Sequence, residues 1–191
     1  MVKDNKVTFG LKNVHFAKAT TDETGTITYG TPVRLPGGVE LSLEPRGDMT
    51  EFYADDVVFY SSPNNNGYEG TLTIAKITDE FATDILGEKK HATDMVLTEF
   101  SNTEGSPFAL LFEFDGDVKA TRHVIYQCTA NRPTVSSTTK NETKEPNTNE
   151  LTFTSTARAS DYAVKTRTSS STPEAVYSTW YTEVYDLVEA V

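Results

Sequence analysis

At 191 residues the chain is long enough for one domain that buries a core without covalent staples, and its single cysteine leaves no internal disulfide to form. A formal charge of −11 and an isoelectric point near 4.7 argue against a protein that grips nucleic acid, which needs clustered Lys and Arg. No run approaches the roughly 18 apolar residues of a membrane helix, and the polar start Met1-Val2-Lys3-Asp4-Asn5-Lys6 lacks the apolar core of a signal peptide, so folding in a reducing cytosol is expected, with no membrane partner.

In chain order, most segments predict strands. Residues 10–19 carry Leu11, Val14 and Phe16, and residues 26–30 follow across the turn-rich Asp22-Glu23-Thr24-Gly25. Val39, Leu41 and Leu43 alternate with Glu40, Ser42 and Glu44 as in a half-buried strand, entered through Pro36-Gly37-Gly38 and left through Pro45-Arg46-Gly47-Asp48. Residues 45–70 then form a connection longer than structureless loops usually are. Phe52, Tyr53, Val57, Val58, Phe59 and Tyr60 are too apolar for a solvated loop, whereas Asp55-Asp56 and Ser61-Ser62-Pro63-Asn64-Asn65-Asn66-Gly67 read as turns. A protruding β-hairpin arm accounts for both, and so do aromatics folded back onto the parent core.

Leu72 and Ile74 alternate with Thr71 and Thr73 in the next strand. Thr78 then caps a short helix with Asp79 and Glu80 in its first turn and Phe81, Ile85 and Leu86 as its apolar stripe, stopped by Gly87. Residues 95–99 predict another strand. In residues 107–133, Phe108, Leu110, Phe112 and Phe114 share one face by period two, Asp115-Gly116-Asp117 turns the chain, and Val124, Tyr126, Cys128 and Ala130 share one side of the return strand. This is a core hairpin, with Cys128 a small buried thiol. Residues 134–149 lack large apolar side chains after Val135 and predict a polar surface loop. Residues 150–155 and 162–168 predict strands, and residues 172–187 a closing helix with Thr172 as cap, Pro173 first, and Val176, Tyr177, Trp180, Tyr181 and Val184 on one side. The chain therefore predicts one mainly β domain, two packed antiparallel sheets in a sandwich or barrel, with one or two short helices and no repeat of solenoid or propeller length.

Chemistry is sparse. His15, His91 and His123 are scattered outside any metal motif, Glu113, Asp115 and Asp117 form a charged turn without the further ligands of a calcium loop, and adjacent Asp55 and Asp56 point to opposite faces of a strand. No serine-hydrolase elbow, phosphate loop or dinucleotide fingerprint is present. The pattern predicts no catalytic residue, no metal and no cofactor.

The wording of the core hairpin, together with Phe9-Gly10-Leu11-Lys12-Asn13-Val14-His15, Phe52-Tyr53-Ala54-Asp55-Asp56, Asn65-Asn66-Gly67-Tyr68 and the closing Trp180-Tyr181, resembles the major tail tube proteins of long-tailed, non-contractile siphovirus-type bacteriophages. The resemblance runs from residue 9 to 185 and departs in residues 134–149 and after Tyr185. It implies a structural virion protein that assembles as stacked hexameric rings into a tube. The partners implied are other copies of itself, a tape-measure protein in the lumen, and tail-tip and tail-terminator proteins, with assembly in the host cytoplasm. DNA would pass without specific binding, and an acidic wall would keep it from sticking. The resemblance favours the arm over the folded-back segment. It assigns inter-ring contact to Phe52, Tyr53, Ala54, Asp55, Asp56, Val57, Phe59 and Tyr60, and to Asn65, Asn66, Gly67 and Tyr68. A β-sandwich module for virion decoration or receptor binding would share the same acidic, motif-free composition.

Overall fold

A computed structural model describes residues 3–137, 139 and 146–187 of the chain. The described elements are β1 (Thr8–Thr21), β2 (Ile27–Tyr29), β3 (Val33–Arg34), β4 (Gly38–Pro45), β5 (Met49–Ala54), β6 (Val57–Pro63), β7 (Tyr68–Ile74), α1 (Asp79–Asp84), β8 (Lys89–Lys90), β9 (Leu97–Thr98), β10 (Phe108–Gly116), β11 (Thr121–Ala130), β12 (Asn149–Ser155), β13 (Lys165–Arg167) and α2 (Glu174–Thr179). One nine-stranded antiparallel sheet runs β2-β1-β10-β11-β12-β7-β4, with β3 also on β1 and β13 also on β11. The fold is mainly β, in agreement with a β-sandwich.

β11 carries the sheet from one layer to the other. Its first half, residues 123–125, pairs with β13, and its last three residues pair with β12 along the same edge. Between them Gln127 takes φ 46°, and the register against β10 slips between Leu110↔Ile125 and Phe108↔Cys128. Such a bulge reverses which face each later side chain occupies. Val124 and Tyr126 therefore pack on one side of the sheet while Cys128 and Ala130 join the core on the other, where strict alternation had put all four together. β1 does the same at Asn13, φ 50°, so that Leu11, Val14 and Phe16 all turn inward although Leu11 and Val14 are three apart. A third slip between Gly38 and Glu40 leaves Val39 exposed while Leu41 and Leu43 pack inward.

The core lies between the layers. Phe108, Leu110 and Phe112 of β10 meet Leu72 and Ile74 of β7, Leu151 and Phe153 of β12, and Phe81 and Ile85 beneath α1. Phe81 sets its ring edge-on to Phe16 and Phe108, at 5.0 and 5.5 Å. α1 forms where expected: Phe81 N donates to Thr78 Oγ1 at 3.3 Å, acids fill the first turn, and Gly87 turns away at φ 79°.

On its other face β10 is covered too. Ala17, Ala109, Leu111, Val124 and Tyr126 pack under Trp180, with Tyr181, Val184 and Tyr185 around it. The closing helix is shorter than its aromatic spacing suggests, six residues instead of sixteen. Thr172 spends its hydroxyl on Ser169 N instead of capping, Pro173 occupies the cap position in extended backbone, and after Thr179 the chain strings its aromatics along the sheet in turns. Tyr126 Oη donates to the Tyr185 carbonyl at 2.8 Å, and buried Arg158 pairs with Asp161 and Asp186, which fastens the end of this strap.

Two expected strands are also shorter. Within residues 95–99 only Leu97 and Thr98 pair, because Met95 (φ 56°) closes a turn in which its N–H donates to the His91 carbonyl. Residues 162–164 fall outside β13 because Tyr162 (φ 58°) ends the turn that Arg158 and Asp161 hold. Of the polar stretch 134–149, Asn149 opens β12 and Asn147 Nδ2 donates to Ser137 Oγ, while residues 138 and 140–145 lie outside the described residues.

Candidate assembly surface

β4 and β7 pair from Gly38↔Ile74 at one end to Pro45↔Tyr68 at the other, and the ladder continues past that end. Arg46 N donates to the Gly67 carbonyl at 2.9 Å, and Asn66 N to the Arg46 carbonyl at 2.8 Å. Beyond these bonds β5 and β6 form a separate two-stranded sheet, from Met49↔Pro63 to Ala54↔Val57. Asp55 and Asp56 take φ 53° and 59°, the left-handed pair of a two-residue hairpin turn whose twist matches the strands. A slip between Phe52↔Tyr60 and Tyr53↔Val58 leaves Phe59 unpaired in the bulge.

Of the connection 45–70, Met49–Pro63 form an arm whose aromatics the body leaves exposed, while Pro45 belongs to β4 and residues 68–70 to β7. Phe52, Tyr53, Val57, Val58, Phe59 and Tyr60 are between 46 and 71% exposed, on both faces of the hairpin. Met49, equally exposed, belongs with them and escaped the sequence reading because it stands before the aromatic run. Ala54 is half-buried beside the turn. An isolated two-stranded ribbon is marginal in water, and this one carries its large apolar side chains in the open. Tyr53 Oη donates to Glu51 Oε2 at 2.7 Å, which raises the phenol above its usual range.

The other expected residues stand at the root. Asn65 Oδ1 accepts from Gly67 N at 3.1 Å, Asn66 continues the ladder, and Tyr68 is the first residue of β7, its hydroxyl accepting from Lys165 Nζ at 2.9 Å. Gly67 has φ 89°, and a Cβ there would sit 2.0 Å from the Ser155 carbonyl oxygen. The arm is therefore fixed to the body by a joint that only glycine fits.

A second surface is defined by what it lacks. The outward positions of β4, β7 and β12 are Glu40, Ser42 and Glu44, then Glu69, Thr71 and Thr73, then Glu150, Thr152 and Thr154, all exposed or half-buried. In register they make a flat field of carboxylates and hydroxyls without one cation.

The histidines stay apart. His15 stacks on Tyr181 at 4.5 Å, His123 stacks on Phe112 at 5.0 Å, and His91 bonds Asp94 in an exposed turn. Glu113 is buried among Asn13, Arg122 and Tyr181, Asp115 pairs with Lys12, and Asp117 accepts from Lys6 N. Among the described residues no three of His, Cys, Asp and Glu gather where they could hold a metal ion, and no helix is long and apolar enough to cross a membrane.

A family model described as "Phage tail tube protein" matches residues 2–191. Among solved structures, a chain from the cryo-EM structure of the anti-feeding prophage cap, the AFP tube terminating cap, is similar with 12% identity and a TM-score of 0.46, covering 87% of this chain and 96% of that one. No curated protein matches the sequence.

Proposed function

The chain belongs to the phage tail tube protein family, structural components of the phage tail, and from that premise we propose that it is the repeating subunit of a tube of stacked six-membered rings through which DNA leaves the virion. The observation that carries this reading is the arm, a hairpin with exposed aromatics on both faces that pairs with no other strand among the described residues. Surface of that kind is covered by a neighbour. The long outer edge of β4, unpaired among the described residues, supports lateral joining of sheets, since a free edge otherwise invites uncontrolled pairing. Tape-measure, tail-tip and terminator proteins are the partners such a tube requires, because head-to-tail stacking has no built-in stop. The cation-free field on β4, β7 and β12 suits the wall of the conduit, where a polyanion must slide without adhering.

Removing Met49–Pro63 and joining Asp48 to Asn64 through two glycines tests the reading. A deletion reaching Tyr68 would cut into β7. The trimmed protein is expected to fold, with unchanged far-ultraviolet circular dichroism, and to form no tubes by negative-stain electron microscopy under conditions where the full chain does. Tubes of normal length from the trimmed protein would refute the role of the arm. Defined small oligomers of the full chain at every concentration, with and without the tail tip, would instead favour a decoration module.

A further inference from the structure

The arm leaves the body at the Pro45/Tyr68 end of β4 and β7, and at the opposite end of the same two strands lie two adjoining clefts. They share Pro36 and Gly37, which form the turn into β4, and enclose about 270 and about 440 Å³. The smaller is lined by Lys12 and Arg34 above Leu11 and Val14, the larger by Lys76 and Lys90 beside Ala75. Four cations converge on one turn of a chain whose net charge is −11. Two carboxylates share the lining: Asp79 is held by Lys90 at 3.1 Å, and Glu80 stands beside it at the start of α1. Lys12 is paired with Asp115. Arg34 and Lys76, both exposed, have no carboxylate partner among the described residues.

The arm is the complement of this end. From Asp48 to Glu69 the chain has Asp48, Glu51, Asp55, Asp56 and Glu69 and no Lys or Arg. Asp55 and Asp56 form its tip, and the aromatics flank them. The hairpin adds roughly 20 Å to strands that themselves span roughly 23 Å, at about 3.3 Å per residue, so it projects from its root about as far as β4 is long.

We propose that the cleft around Pro36-Gly37-Gly38 receives the arm tip of a second copy of this chain. Asp55 and Asp56 lie against Arg34 and Lys76, and the flanking aromatics cover the more apolar of the two clefts, beside Ala75. Donor and receptor sit at opposite ends of the same two strands, so each subunit offers an arm at one pole and a socket at the other, the heterologous arrangement that propagates along an axis. Juxtaposed like charges oppose such a contact and matched ones orient it. The inference rests on the tube reading and names where on the neighbour the arm lands.

Charge reversal with rescue tests it. The double variant R34E/K76E changes two exposed side chains and should keep the wild-type melting curve, yet raise the protein concentration at which tubes appear by about tenfold or more. The tip variant D55K/D56K should do the same. The chain carrying all four changes should recover tubes at a concentration within about threefold of the wild type, since the charges then match again. R34E/K76E protein that melts normally and assembles like the wild type overturns the socket while leaving the tube reading intact. Failure of the four-fold variant to recover, with both doubles blocked and folded, also overturns it. Wild-type protein that makes no axial polymer even on an isolated tail tip overturns the tube reading itself.

Discussion

Arg122 sits where three elements meet. Its Nε donates to Glu113 Oε2 at 3.1 Å, its Nη1 donates to the Tyr177 carbonyl, and its guanidinium lies 3.8 Å over the Tyr177 ring and 4.9 Å from that of Tyr181. Glu113 also accepts from Asn13 Nδ2 at 2.7 Å and from Tyr181 Oη at 3.1 Å. Truncation of the arginine leaves a carboxylate enclosed with neutral donors only, so R122A is expected to lose about 3 kcal/mol of unfolding free energy in urea at pH 7, and a loss under about 1 kcal/mol would contradict the clamp. His123 gives a pH signature. Burial against Phe112 and Phe114, then Lys165 and Arg167 nearby, pull its pKa down to about 4. The unfolded chain takes up its proton near pH 6.5 and the folded one near pH 4, so stability falls as pH drops through that window and the contribution levels off below it. Urea midpoints at pH 4, 5, 6 and 7 should show a shallower slope in H123Q than in the wild type. Equal slopes would remove His123 as the cause.

At the scale of elements, the joint under the arm and the strap over β10 carry the sharpest expectations. G67A forces a left-handed alanine into the Ser155 carbonyl and should lower the melting temperature by several degrees, for a cost of about 1–3 kcal/mol. W180A opens the covered face of β10 and should cost about 3 kcal/mol in the same assay, while the arm deletion, which touches no core residue, should cost little. The core hairpin, the strand at Leu72 and Ile74 and the capped helix at Thr78 were legible in the sequence because period two, period 3.6 and cap chemistry are local signals. The bulges at Asn13, Val39 and Gln127 were not, since each depends on a partner strand distant in sequence; the mistaken face for Cys128 and Ala130 followed from that. The over-long second helix had the same origin, because three-four spacing of aromatics is equally satisfied by turns wrapped on a sheet. The arm's hairpin register could be guessed from Asp55-Asp56, but its freedom from the body is a tertiary fact, and the socket had no sequence signature at all, its cations being drawn from residues 12, 34, 76 and 90.

For the whole molecule, the distribution of charge says more than its sum. The field across β4, β7 and β12 carries Glu40, Glu44, Glu69 and Glu150 and no cation, while Arg34 and Lys76 line the clefts at the pole away from the arm. Reversing the pair that stands in register, in E44K/E69K, should leave the fold intact and make assembled tubes retain added double-stranded DNA in sedimentation at low salt, releasing it as salt rises. Tubes that stay DNA-free would take that field off the conduit wall. Cys128 has a different consequence. Its thiol is fully enclosed between the layers, and burial pushes its pKa far above the usual thiol range, so the folded chain is expected to resist alkylating reagents. A cysteine added at any exposed position becomes the sole conjugation handle per subunit, and a periodic assembly of such subunits would display a dye or an enzyme at a spacing set by the protein alone.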